Sequence, residues 1–251
     1  MIRLEHITVE FEGRKILSDV SCSVANGETK VMLGPSGAGK SSVLKVILGL
    51  WRPTAGRVFI DGVELTALNE REQMPIRRRM SMVFQGNALF DSLTVAENVA
   101  FFLEEHSDMS EGEIADRVAE CLEFVNLPDV GNLLPEEISG GMKKRVAIAR
   151  AIAFHPEVIL YDEPTTGLDP INARTVTELI MKLKQERRVT SIVVTHILRD
   201  AFAVGDSLAV VNDGRIVFDG SSQDVLHSPD QFVQDFIAEI RAEANLLNLH
   251  H

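Results

Sequence analysis

The stretch ETKVMLGPSGAGKSSVLKVILGL, residues 28–50, decides the fold. Its first part, ETKVMLG, is a short apolar run ending in glycine and reads as a buried strand. Its last part, KSSVLKVILGL, has helical apolar spacing. Between them, Gly34-Pro35-Ser36-Gly37-Ala38-Gly39-Lys40-Ser41 fits G-x-x-x-x-G-K-[ST] without a mismatch, in the strand-to-helix setting the motif requires. The glycines let backbone N–H groups converge on an anion, and the following helix adds a favourable field. Lys40 is the candidate for the β- and γ-phosphates and Ser41 for Mg²⁺. Ser42 completes the candidate ATP-binding set.

Working outward, a phosphate loop needs a second group for Mg²⁺ and a third for the attacking water. VILYDE, residues 158–163, offers both. Four apolar or aromatic residues precede Asp162 and Glu163, so the two carboxylates emerge at the carboxyl end of a buried strand. Ligands bind there in α/β sheets. Asp162 can reach Mg²⁺ through a water, and Glu163 is placed to polarise the attacking water. The competing reading is an acidic strand end that caps the next helix.

Other segments fill in the frame. RLEHITVEF and ILSDVSCSV alternate apolar and polar residues and read as strands joined by a Glu12-Gly13 turn. RVFIDG and MSMVFQ (Met80 to Gln85) read as further strands, as do SIVVTH and LAVVND. Helices are expected between VILYDE and SIVVTH. Asn212-Asp213-Gly214 reads as a hairpin turn into RIVFDG. From about 87 to 155 the pattern changes. Thr94-x-x-Glu97 and Ser110-x-x-Glu113 are capping boxes, and Ile114, Val118, Cys121, Leu122 and Val125 form a one-sided stripe. That region reads as a helical insert. The tail from Asp230 to Leu249 reads as an amphipathic helix with the stripe Phe232, Val233, Phe236, Ile237 and Ile240. Packing on its own domain competes there with docking on a partner. The pattern as a whole is an α/β nucleotide-type core with an antiparallel β edge and a helical lobe.

The bulk numbers bound the partners. The 251 residues are 45% hydrophobic, with a formal net charge of −12. That suits one large α/β domain or two lobes sharing a core. Apart from Arg77-Arg78-Arg79 no basic face stands out, which argues against phosphate-backbone contact with nucleic acid. Cys22 and Cys121 share no metal spacing and suit packed thiols in a reducing cytosol. No signal-peptide pattern opens the chain, and no run approaches the ~18 apolar residues that span a bilayer. The closing His250-His251 resembles an affinity-tag remnant and is set aside.

Six features occur in order: the phosphate loop, Gln85 at a strand end, Ser139-Gly140-Gly141 before a helix, Asp162-Glu163, Gly167-Leu168-Asp169, and His196 ending SIVVTH. This set resembles the nucleotide-binding subunit of ABC transporters over nearly the whole chain. The resemblance implies a P-loop ATPase core at 1–86 and 156–229 with an antiparallel β subdomain. It also implies an inserted α-helical subdomain at about 87–155 and a helical tail at 230–251. Phe11 would stack on adenine, with a core phenylalanine as the alternative. Gln85 would touch Mg²⁺ and the water. Glu163 would be the catalytic base, and His196 would contact the γ-phosphate. Ser139, Gly140, Gly141 and Asp169 would act across a homodimer, with the Ser-Gly-Gly segment capping ATP bound by the opposite subunit. Both glycines would let amides approach a phosphate without a Cβ in the way. Lys143, Lys144 and Arg145 read as solvated or interfacial charges.

Two stretches narrow the subfamily. FQGNALFDSLTVAENVAFFLEEH, residues 84–106, and ISGGMKKRVAIARAI, with Met142 where most relatives have glutamine, are similar to the ATPases of Mla/Mce-type bacterial lipid transport. That likeness implies ATP and Mg²⁺ as ligands and a place on the cytoplasmic face of the inner membrane. It also implies integral-membrane permease subunits and a lipid-binding Mce-type protein as partners. An importer of amino acids or other polar solutes stays open within transport. A repair or translation ATPase of the same superfamily is the alternative outside it. Against that stand the lack of a heptad array, the single phosphate loop and the acidic balance. A kinase or GTPase would leave the Ser139 segment unexplained.

Overall fold

The computed structural model describes residues 1–238. In chain order the strands are β1 (Ile2–Phe11), β2 (Arg14–Val24), β3 (Thr29–Leu33), β4 (Ala55–Ile60), β5 (Val63–Glu64), β6 (Met80–Val83), β7 (Val158–Asp162), β8 (Thr190–Thr195), β9 (Ser207–Asn212) and β10 (Arg215–Ser221). The helices are α1 (Lys40–Ile47), α2 (Glu70–Arg77), α3 (Val95–His106), α4 (Glu111–Phe124), α5 (Gly140–Ile152), α6 (Pro170–Arg187) and α7 (Leu198–Val204). Helical turns also run over 231–238. The expected stripe residue Ile240, the rest of the tail and His250-His251 lie outside the described residues.

Two sheets form. One has the order β10-β9-β3-β8-β7-β6, and the other β2-β1-β4-β5. From β9 to β6 neighbouring strands run parallel, and β10 adds an antiparallel edge. The four-stranded sheet is antiparallel throughout. Every residue of β3, β7 and β8 is buried, as a parallel sheet covered on both faces demands.

Alternation sorts the two faces. Val31, Leu33, Ile159, Tyr161, Val193, Leu208 and Val210 join one core with residues of α3, α4, α5, α6 and α7. Met32, Leu160, Ile192, Val194, Ala209 and Val211 join a second core with α1 and the antiparallel sheet. The expected insert stripe, including Val118, Cys121, Leu122 and Val125, is packed into the first core. Burial pushes the thiols of Cys22 and Cys121 up to about 12 and about 11.

Local signals explain most of the boundaries. Both capping boxes form: Glu97 N–H donates to Thr94 and Glu113 N–H to Ser110, with each carboxylate returning to the cap. At the Asn212 hairpin, Asp213 and Gly214 have φ of 44° and 72°, the pair of positive values a type I′ turn needs. Two helices were not anticipated. α2 begins at an Asn69–Glu72 capping box and carries Pro75 inside. α7, between β8 and β9, is seven residues long and has no side-chain cap. Among the described residues no helix is long and apolar enough to cross a membrane.

Candidate active site

Four adjacent strands deliver the site. β3 pairs with β8, β8 with β7, and β7 with β6. In register, Leu33 faces Thr195, Val194 faces Asp162, and Val83 faces Tyr161. The residues just past these positions are Gly34, His196, Glu163 and Phe84-Gln85. The sheet therefore brings the phosphate loop, both carboxylates, the histidine and the glutamine to one carboxyl edge, where such sheets bind ligands.

The loop at 34–42 is shaped by its neighbours. A Cβ on Gly34 would come 2.2 Å from the Val211 carbonyl oxygen. Gly39, the N-cap of α1, has φ 102°, and a Cβ there would press on Leu17 and Ile16. Gly214 N–H donates to Ala38 O at 3.0 Å, so the β9–β10 hairpin braces the loop from outside. Lys40 is buried, and its Nζ donates to Gly34 O (2.8 Å) and Pro35 O (3.0 Å). Burial holds its ammonium below the usual lysine range, against the opposing pull of Glu163 and Asp162. Ser41 Oγ donates to Asp162 Oδ1 at 2.7 Å.

Glu163 is placed by its backbone and by two side chains. Its φ of 48° lies in the left-handed region, uncommon for a residue with a Cβ. Its N–H donates to Val194 O at 2.9 Å, locking the turn onto β8. Its Oε2 accepts from Thr166 Oγ1 (2.8 Å) and lies 2.9 Å from His196 Nδ1. Lys40 Nζ stands 3.8 Å from Oε1. Below this cluster, Thr165 Oγ1 donates to the buried Asp200 of α7 at 2.6 Å. The turn after the carboxylates is thus pinned to the helix that follows His196. Sequence reading missed that pair, and no local spacing signals it.

The Ser139 segment lies elsewhere. Ser139 caps α5, accepting from Met142 N–H at 3.3 Å. Among the described residues no hydrogen bond joins 139–141 to the phosphate loop. The two glycines differ. A Cβ on Gly140 would meet open space, whereas one on Gly141 would come 2.4 Å from the Asn172 side chain. Gly141 therefore has a reason inside its own chain. Asn172 in turn donates to Asp169 Oδ2 (2.5 Å), and Asp169 caps α6 through the N–H groups of Ile171 and Asn172. Those bonds hold the Asp169 carboxyl below the usual carboxylate range. Met142 packs against the helical core, so it has a packing role as well as an absent amide.

The basic run is corrected in two places. Lys144 is not solvated: it is 1% exposed, and its Nζ donates to Phe84 O (3.1 Å) and Gln85 O (2.8 Å). Burial pushes its ammonium down to about 8, with nearby Asp162 acting against the shift. Arg145 reaches back to the carbonyls of Val125 and Asn126. The available signal was helical phase. Lys144 lies three, four and seven residues before Ala147, Ile148 and Ala151, which puts it on a buried face. Phe11 sits apart, at the β1–β2 hairpin, 47% exposed and edge-on to Trp51 at 4.9 Å.

This arrangement matches known proteins. The family model described as ABC transporter matches residues 17–166. The intermembrane phospholipid transport system ATP-binding protein MlaF of Haemophilus influenzae is 37% identical over 237 residues, spanning 94% of this chain and 90% of that protein. The methionine import ATP-binding protein MetN of Carboxydothermus hydrogenoformans is 41% identical, spanning 91% of this chain and 68% of its own length. Among solved structures, the dimeric post-hydrolysis state of the ATP-binding cassette MJ0796 bound to ADP and Pi superposes with a TM-score of 0.82. It is 35% identical and covers 88% of this chain and 98% of its own. The chain belongs to the ABC transporter family, as an ATP-binding, ATP-hydrolysing subunit.

Proposed function

We propose that this subunit powers the movement of phospholipid or another hydrophobic lipid across a bacterial envelope. It would work as a head-to-tail homodimer, peripheral on the cytoplasmic face of the inner membrane. Integral-membrane permease subunits and a lipid-binding Mce-type protein would complete the assembly. The likeness to MlaF across 94% of the chain carries the lipid reading. The likeness to MetN favours a second reading, an importer of an amino acid or another polar solute.

In this reading the core is 1–86 with 156–229, the helical subdomain about 87–155, and the tail 230–251. Gly34, Pro35, Ser36, Gly37, Ala38, Gly39, Lys40, Ser41 and Ser42 wrap the phosphates of ATP, with Phe11 against the adenine. Ser41 and Asp162 fit Mg²⁺, because a hydroxyl and a carboxylate, both hard oxygen donors, already converge at 2.7 Å. Among the described residues no cluster of three or more His, Cys, Asp or Glu forms a metal cage. That suits an ion that keeps waters and substrate phosphates as its other ligands. When bound, Mg²⁺ would neutralise charge on the β- and γ-phosphates. Gln85 would contact both the ion and the attacking water.

The convergence of Glu163 and His196 at 2.9 Å carries the hydrolytic reading. Glu163 Oε2 takes the proton of the attacking water, while the Thr166 hydroxyl holds the carboxylate and the Val194 carbonyl holds the Glu163 backbone N–H. His196, 46% exposed at its side chain, contacts the γ-phosphate from the open side. Ser139, Gly140 and Gly141 close the site from the partner subunit, with Asp169 in the crossing loop. The decisive experiment purifies the protein from membranes through this chain and identifies what accompanies it by mass spectrometry. Permease subunits with bound lipid are expected. Recovery without any membrane protein in mild detergent contradicts the transporter assembly, and a polar-solute-binding partner in place of lipid supports the importer.

A further inference from the structure

The loop that follows β6 is gripped by α5. Lys144 donates to the carbonyl oxygens of Phe84 and Gln85. Six residues further along the helix, Arg150 donates to those of Asn87 (2.9 Å) and Ala88 (2.7 Å). Asn87 and Ala88 have φ of 64° and 50°, so the loop takes a conformation that side chains disfavour. From the far side, the buried Asn98 of α3 accepts from Phe90 N–H and donates to the carbonyls of Phe90, Leu93 and Thr94. A loop held in this way has a prescribed shape.

The choice of residue is informative. Position 144 lies in a helix packed into an apolar core, where an aliphatic side chain would bury more cheaply than an ammonium. Buried charges occur where they bind something specific. Here the ammonium binds the backbone at Gln85, whose own side chain stays exposed. Lys144 also stands five residues beyond the N-cap Ser139, so it joins the first turns of α5 to the end of β6.

We propose that Lys144 is a positioning residue for hydrolysis: by clamping the Phe84 and Gln85 carbonyls to α5 it fixes where Gln85 meets the attacking water, and it makes the Ser139 segment and the Gln85 loop move as one body. This rests on the role given above to Gln85. Lys144 acts through the backbone and touches no substrate. Arg150 extends the same grip toward residue 88.

The test compares full-length Lys144→Met, Lys144→Arg, Gln85→Ala and the Lys144→Met/Gln85→Ala double variant in ATPase assays. Loss of a charge-assisted bond predicts kcat lowered about tenfold or more in Lys144→Met, with KM for ATP changed less than about threefold. Lys144→Arg keeps donors in place and recovers most of the rate. In the Gln85→Ala background, Lys144→Met adds less than about twofold, because the group it positions is gone. Parental kcat in Lys144→Met, or losses that multiply fully, overturns the proposal. Hydrogen exchange gives a readout independent of turnover. Amides at 84–90 exchange faster in Lys144→Met, while those of β3 keep their protection. Unchanged exchange at 84–90 also overturns it. If the parental chain hydrolyses no ATP, the hydrolytic reading fails on its own, and the exchange comparison still decides the clamp.

Discussion

Gly141 shows how one residue can answer to two constraints. Reading the sequence gave both signature glycines one purpose, approach to a phosphate on another subunit. The Asn172 side chain, 2.4 Å from where a Cβ would stand, gives Gly141 a constraint within its own fold that Gly140 lacks. Gly141→Ala is therefore expected to lower the stability of the nucleotide-free chain by about 1–3 kcal/mol through overpacking. Gly140→Ala, facing open space early in a helix, is expected to be neutral or slightly stabilising. Thermal melts of both variants without nucleotide check this, and equal midpoints would remove the packing role. Lys144 teaches a related lesson. Charge suggested solvent, yet its place on the buried face of α5 decided its surroundings. A residue's phase in its helix outweighed its polarity.

Among elements, strand ends were the most legible part. Runs such as VMLG, VILYDE and SIVVTH are apolar until they reach a functional residue, and the register of β3, β8, β7 and β6 turns those four ends into one edge. The capping boxes of α3 and α4 were legible for the same reason, since their signal lies within four residues. What could not be read were contacts between distant segments. α7 is short and has no cap, and its job depends on Thr165, 35 residues earlier. Among the described residues, Thr165→Val leaves the buried Asp200 carboxylate with only its 3.3 Å contact to Arg199. The expected cost is about 1–3 kcal/mol, or a fall of several degrees in Tm, with Thr165→Ser retaining most of the stability. A Thr165→Val midpoint equal to the parent would mean that the pair does not tie α7 to the turn after Glu163.

For the whole molecule, the division of labour is visible in what the chain does not bring together. The carboxyl edge of the parallel sheet gathers two adjoining groups, Ser41 with Asp162 at 2.7 Å, and Glu163 with His196 at 2.9 Å and Lys40 at 3.8 Å. Ser139 and Gly140 stand exposed at the head of α5, with no hydrogen bond to the phosphate loop among the described residues. In the account proposed here, a second copy closes that gap, each chain supplying the edge of one site and the Ser139 segment of the other. The most direct test is the solution mass of Glu163→Gln, which keeps the shape of the carboxylate but cannot act as the base. Light scattering is expected to give the mass of one chain without nucleotide and of two chains with saturating Mg²⁺-ATP. The mass of a single chain under both conditions would contradict the account.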